Sequence, residues 1–196
     1  MKLMEDGFVE RNKKVILIAT LIMLVSAIAG AGISYINADG EYNVISNALS
    51  SHKSNVTGDF VGTGSVELFV HNIIADFITI LGGLFFSILS VISVIYNGLS
   101  VGTVFGIDLP YAAVSVLPHA IIEYFAGALA LAIAFKITKL EIKIIKNRNL
   151  RNTLKEHEID LKDMLTIFIV MVILLGIAAI IEGHITPMIT LWYFGL

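Results

Sequence analysis

Residues 111–135 read YAAVSVLPHAIIEYFAGALALAIAF. The run is long enough to cross a bilayer, for which about 20 mostly apolar residues suffice. Apart from Tyr111 and Tyr124, its ionisable side chains are His119 and Glu123. Such groups are costly in lipid, so they face a bundle interior and often mark function. Four residues apart, His119 and Glu123 share one helix face. Gly127, Ala130 and Ala134 continue that face with small side chains, the pattern of a packing stripe. The stretch therefore reads as a transmembrane helix with its polar pair turned inward.

The rest of the chain is written for the same solvent. Of 196 residues, 57% are hydrophobic and only 15% charged. This predicts an all-α fold, a polytopic transmembrane helical bundle, as a single integral membrane domain over residues 1–196. A separate soluble enzyme domain does not fit in that length. The absence of cysteine excludes disulfides, thiol catalysis and thiolate metal sites. The first apolar run, 15–36, is too long for a signal-peptide core and follows a mixed-charge start, so it reads as a retained span. No P-loop, dinucleotide fingerprint, serine nucleophile elbow or nucleic-acid-binding module appears. The expectation is a non-enzyme with no cofactor and no nucleic-acid partner.

Working outward, spans are expected at 15–36, 68–96, 98–117, 118–136 and 164–183. An outer loop is expected at 37–66 and a basic segment at 136–163. Asn97-Gly98 reads as a break, which leaves 98–117 as a short, tilted or re-entrant span. Gly98, Gly102 and Gly106 form a GxxxGxxxG ladder there, suited to close helix packing. Charge sets the expected orientation. Twelve of the thirteen Lys and Arg lie at 1–14 and 136–163, Lys53 being the exception. The positive-inside rule places both segments in the cytoplasm. An even number of crossings must then separate them, which gives five spans, N-terminus inside and C-terminus outside.

Depth follows from topology. Glu123 lies five residues into the expected fourth span, about 7–8 Å deep at 1.5 Å per residue. Glu182 lies roughly 27 Å along the fifth, also near the outer face. His71, Asn72 and Asp76 open the second span from outside, and Asp108 closes the third. These groups are expected to form one polar cluster in the outer half of the membrane. The plainest role for it is to hold helices together by hydrogen bonds. A transport or proton-relay role comes next. A metal site comes third, with His119, Glu123, Glu182 and His184 as candidate ligands, since imidazole and carboxylate suit zinc. The HxxxE spacing is weak, however, and no HExxH occurs.

Several features carry ordinary roles. Asn55-Val56-Thr57 is a glycosylation sequon in the expected outer loop. Leu140, Ile144 and Ile145 between cations suggest an amphipathic helix on the inner membrane surface, or else a solvated helix extension. Trp192, Tyr193 and Phe194 suit an interfacial anchor.

One combination is more specific than any of its parts. His71-Asn72, Gly82-Gly83, Tyr96-Asn97-Gly98 with Gly102, Pro118-His119 with Glu123 and Gly127, and Ala178-Ala179-Ile180-Ile181-Glu182 with Pro187 follow in order. This pattern, over roughly 65–187, resembles the stage II sporulation protein M family. Ala120 stands where glycine often follows Pro-His. The Ile- and Lys-rich style resembles an archaeal member. The resemblance implies a small membrane protein of five or six spans. In endospore formers it implies a scaffold that localises peptidoglycan-degrading enzymes during engulfment. It marks Asn72, Asn97, Gly98, Pro118, His119, Glu123 and Glu182 as family positions. The expected role is a scaffold for envelope or membrane proteins, partnered by the lipid bilayer and by other copies or other membrane proteins. The alternatives are a transporter or channel and a metal-binding membrane protein.

Overall fold

The structure is a computed structural model that describes residues 5–38 and 64–195. The sequon, Lys53 and nearly all of the expected loop 37–66 lie outside the described residues. The described fold is all-α. Five segments are long and apolar enough to cross a membrane: Phe8–Asn37, Ser65–Phe85, Ile88–Ile107, Leu109–Asn147 and Glu158–Phe194. The helices are α1 (Phe8–Asn37), α2 (Ser65–Leu81), α3 (Ile88–Ile107), α4 (Leu117–Asn147), α5 (Leu150–Glu156), α6 (Glu158–Ile180) and α7 (Thr186–Phe194).

The number of spans agrees with the sequence, but most of their boundaries do not. The apolar run 68–96 is not one span. A 3-10 turn at Gly82–Phe85 ends α2, and Phe86 and Ser87 take left-handed φ of 53° and 57° to reverse the chain. The glycines permit this. A Cβ on Gly83 would sit 2.7 Å from the Ala134 carbonyl oxygen, and one on Gly82 would sit 2.5 Å from Ser90 Oγ. Thr138 donates to the Gly83 carbonyl at 2.8 Å and lies 2.6 Å from Ser87 Oγ, which pins the hairpin to α4. Asn97-Gly98 is accordingly no break: it lies midway along α3. The third span is a full-length helix, neither short nor re-entrant.

The fourth span starts earlier than Pro118. Asp108 takes an extended conformation after α3, and its Oδ1 accepts from Tyr111 N–H at 2.9 Å, capping a new helical turn at Leu109–Tyr111. A π-helical turn at Ala112–Val116 then leads into α4, with Leu117 N–H bonded to the Ala112 carbonyl. The same device recurs at Ile181–Ile185, where Thr186 N–H reaches the Ile181 carbonyl. Each π turn stands just before a proline, Pro118 or Pro187. A mid-helix proline lacks a donor and crowds the carbonyl four residues back, and one inserted residue relieves both problems. The fifth span therefore continues past 183 to Phe194, and the aromatic tail is helical.

The basic segment 136–163 is mainly a helix extension. Here α4 runs to Asn147 and stops at Arg148, whose φ is 52°. Asn149 caps α5 through Asn152 N–H at 3.1 Å, and α6 begins at Glu158.

Helix α4 is the central element, and residues 126–134 are buried along their whole length. Its small side chains let neighbours close in on both sides. Ile80, Ile167, Met171 and Leu175 pack on one side, and Ala19, Met23 and Val94 on the other. The most intimate helix pair is α1 with α3. A Cβ on Gly102 would lie 2.1 Å from the Ala27 carbonyl oxygen, and one on Gly106 2.4 Å from that of Ala31. Gly30 answers from α1, where a Cβ would meet the Leu99 carbonyl at 2.3 Å. The two backbones touch, which is what a small-residue ladder is for in lipid.

Candidate functional site

Two polar assemblies occupy opposite ends of the bundle. The first joins α2, α4 and the π turn after α6. His119 is buried, with 8% of its surface exposed. Its Nε2 lies 3.8 Å from Glu182 Oε1, and its Nδ1 lies 3.4 Å from Thr186 Oγ1. Glu123, one turn further along α4, accepts a hydrogen bond from the Asn72 side-chain amide. One donor atom each from His119, Glu123 and Glu182 lies within 4.8 Å of the other two. The π turn contributes directly, because Glu182 sits inside it and Thr186 follows it.

Asp76 sits one turn along α2 from Asn72 and is also only 8% exposed. Its Oδ1 lies 3.6 Å from where a Gly127 Cβ would stand, so the glycine gives it access to α4 just beneath Glu123. The other oxygen, Oδ2, is buried with no hydrogen-bond partner among the described residues.

Other expected members are placed differently. His71 is exposed and stands outside the close group. His184 is also exposed and hydrogen bonds to Ser65 Oγ at 2.9 Å, so the close group excludes it. Asp108 serves as a helix cap. Gly98 and Gly102 face α1, and Tyr124 donates to the Gly98 carbonyl at 3.2 Å. Asn97 is not part of a break between spans. It is exposed near the middle of α3, on the face opposite the glycines.

The second assembly joins Arg11 and Lys136, which the sequence offered only as topology signals, to Asn12, Asp160 and Asp163, which it did not single out. Arg11 grips Asp163 with two hydrogen bonds, Nε to Oδ2 at 2.9 Å and Nη2 to Oδ1 at 2.8 Å. Asn12 Nδ2 donates to Asp163 Oδ2 at 2.9 Å, and its Oδ1 accepts from Lys136 Nζ at 2.6 Å. Lys136 also lies 3.2 Å from Asp160 and 3.6 Å from Asp163. Asn12, Lys136 and Asp163 are all buried. The available signal was two opposite charges, Lys136 and Asp163, each flush with the same end of an apolar run.

Glu123 and Lys136 are thirteen positions apart on α4, about 20 Å at 1.5 Å per residue. Residues 126–134 fill that interval with tightly packed apolar side chains. The buried hydroxyls beside it, Thr79 and Ser90, each donate to backbone, and Thr79 Oγ1 also lies 3.2 Å from Ser93 Oγ. Thr79 donates to the Ala75 carbonyl at 3.1 Å, and Ser90 to the Thr79 carbonyl at 2.6 Å.

Comparison with known proteins agrees with this architecture. A family model described as Stage II sporulation protein M matches residues 18–187. An uncharacterized protein of Methanocaldococcus jannaschii is 29% identical over 148 residues, covering 72% of this chain and 78% of that protein. No solved structure matches.

Proposed function

The chain belongs to the stage II sporulation protein M family, and from that premise we propose that it is a non-enzymatic membrane scaffold that binds other membrane-embedded chains, copies of itself included. The observation that carries this reading is Asn97. It stands near the midpoint of the Ile88–Ile107 span, with about 15 Å of helix on either side. It is exposed, and Ser100 and Thr103 are exposed on the same flank. Those hydroxyls turn back onto the Tyr96 and Leu99 carbonyls, each at 2.9 Å. The Asn97 amide has no comparable partner among the described residues. A primary amide facing hydrocarbon is costly, and a neighbouring helix that offers a donor and an acceptor removes the cost. A second copy of α3 supplies both. Thus α3 packs within the chain by its glycine face and between chains by its polar face.

The packed layer at residues 126–134 weighs against transport. A conduit needs polar groups or water along its length, whereas α4 offers apolar side chains there and the buried Thr79 and Ser90 beside it donate to backbone carbonyls.

The test is self-association of the full chain in lipid vesicles, followed by energy transfer between labelled copies. Asn97→Leu is expected to weaken it about tenfold, since interhelical polar contacts contribute roughly 0.6–2 kcal/mol each. Association unchanged by Asn97→Leu would count against the reading. So would a cation flux in proteoliposomes that Glu123→Gln abolishes.

The basic end is assigned to the cytoplasm and the His119 end to the opposite side. The natural absence of cysteine makes this simple to check. A single cysteine replacing Arg151 should react with an impermeant maleimide only after permeabilisation, and one replacing Met188 should react in intact cells. The reverse pattern would invert the assignment.

A further inference from the structure

His119, Glu123 and Glu182 carry more structure than helix-to-helix hydrogen bonding requires. We propose that they form a binding site for a single divalent transition-metal ion of the zinc class, with Asp76 as a supporting carboxylate. This does not rest on the scaffold reading, because a scaffold can hold such an ion or do without one.

Four observations converge. The first is the donor set. One imidazole and two carboxylates come from two different spans and lie within 4.8 Å of one another. Ligands around a tetrahedral zinc, each near 2.1 Å from the metal, stand about 3.4 Å apart, so small side-chain rotations close the site. Three protein ligands leave a fourth position open.

The second is the outer shell. A ligating histidine commonly has its second ring nitrogen hydrogen bonded, which fixes its tautomer and orientation. Here Nδ1 faces Thr186 Oγ1 and leaves Nε2 toward Glu182. The Asn72 amide holds one oxygen of Glu123 and leaves the other available. Both arrangements aim a ligand atom rather than merely satisfying it.

The third is the orphan. Asp76 is 8% exposed, reaches α4 beneath Glu123 past Gly127, and has an oxygen with no partner among the described residues. Buried carboxylate oxygens are normally satisfied, and one that is not calls for an unseen proton, water or ion.

The fourth is charge. Three carboxylates converge, yet every described Lys and Arg lies in the first two turns of α1 or between residues 136 and 162. The only permanent positive charges among the described residues are thus at the other end. Like charges gathered in a low-dielectric site need compensation. A dication supplies it directly, and ties α2, α4 and the end of α6 together.

The experiment uses the full chain in nanodiscs, stripped with chelator and titrated with zinc chloride, then with manganese chloride. Bound metal is measured after dialysis, and thermal stability is followed with and without the ion. The expected result is one ion per chain and a higher Tm with metal, because a ligand that binds only the folded state stabilises it. Glu182→Gln and Glu123→Gln should each weaken binding at least tenfold, and Asp76→Asn about 10–100-fold as a supporting group. Two conservative variants on different elements keep the test informative should one fail to fold. Histidines often capture metal adventitiously, so His71→Ala and His184→Ala serve as controls and should leave affinity unchanged. The proposal is overturned if folded wild type retains no stoichiometric ion, if both Gln variants bind like wild type, or if the two control histidines account for the binding.

Discussion

Gly102→Val is expected to take apart the α1–α3 pair. The first carbon of any side chain at this position would stand 2.1 Å from the Ala27 carbonyl oxygen and 2.9 Å from Ala31 N. Both obstacles are backbone, so no rotamer change relieves them. The helices must separate along the ladder, and Gly98 and Gly106, one turn to either side, then lose their contacts with Ser26 and Ala31. Overpacking a tight site costs about 1–3 kcal/mol and sometimes more, and a collision with backbone belongs at the upper end. Gly176 provides the matched control. A Cβ there meets nothing within 4 Å. Gly176→Ala should therefore be neutral or raise stability by up to about 1 kcal/mol through helix propensity. Thermal unfolding in detergent, read by a conformation-sensitive dye, compares the two. Equal Tm values for Gly102→Val and Gly176→Ala would refute the packing account.

Asp163→Ala should be as damaging at the other face of the bundle. The Asp163 side chain is 1% exposed, accepts hydrogen bonds from Arg11 and Asn12, and lies 3.6 Å from Lys136 Nζ. Its loss leaves Lys136 buried with only Asp160 nearby as a charge partner, and frees Arg11 from α6. Breaking a buried ionic network by removing one partner costs about 3–5 kcal/mol, mostly because the remaining charge stays desolvated. Pairing the change with Lys136→Met removes that stranded charge and should recover part of the loss. The measure is again thermal unfolding of the full chain, run as a double-mutant cycle. If Asp163→Ala melts within a degree or two of wild type, the network is not what joins α1 to α6. Neither substitution touches His119, Glu123 or Glu182, so metal binding by folded variants should persist.

The sequence errors share one cause. Residues 68–96 read as a single span because hydropathy measures solvent preference, and a hairpin buried between apolar helices has the same preference as the helices it joins. What divides the run is the close approach of Gly82 to Ser90 and of Gly83 to Ala134, and such contacts are invisible until α4 is in place. Asn97-Gly98 misled for the complementary reason. Asn-Gly favours turns in water, but in α3 the glycine is a contact surface and the asparagine faces outward. Pro118 likewise marked a helix start only locally, because the preceding π turn carries the helix through it.

The polar sites divide in the same way. Helical spacing was enough to put His119 and Glu123 on one face, and parity of crossings put Glu182 at their level. Those inferences depend only on helix rise and on the cost of charge in lipid, so they needed no tertiary information. Which neighbours complete the group depends on helix rotation. Rotation brought Asn72 and Asp76 inward and turned His71 and His184 out. It also turned Lys136, a topology signal in the sequence, toward Asn12 and Asp163 to form a buried network.

By itself, then, the sequence determined the solvent, the all-α class, the number of spans and the His119–Glu123 face, because each follows from hydropathy and the period of a helix. Tertiary structure alone decided where the chain reverses, which helix the glycine ladder meets and which polar groups share a site. Those depend on the rotation and separation of helices about one another, and packing sets both.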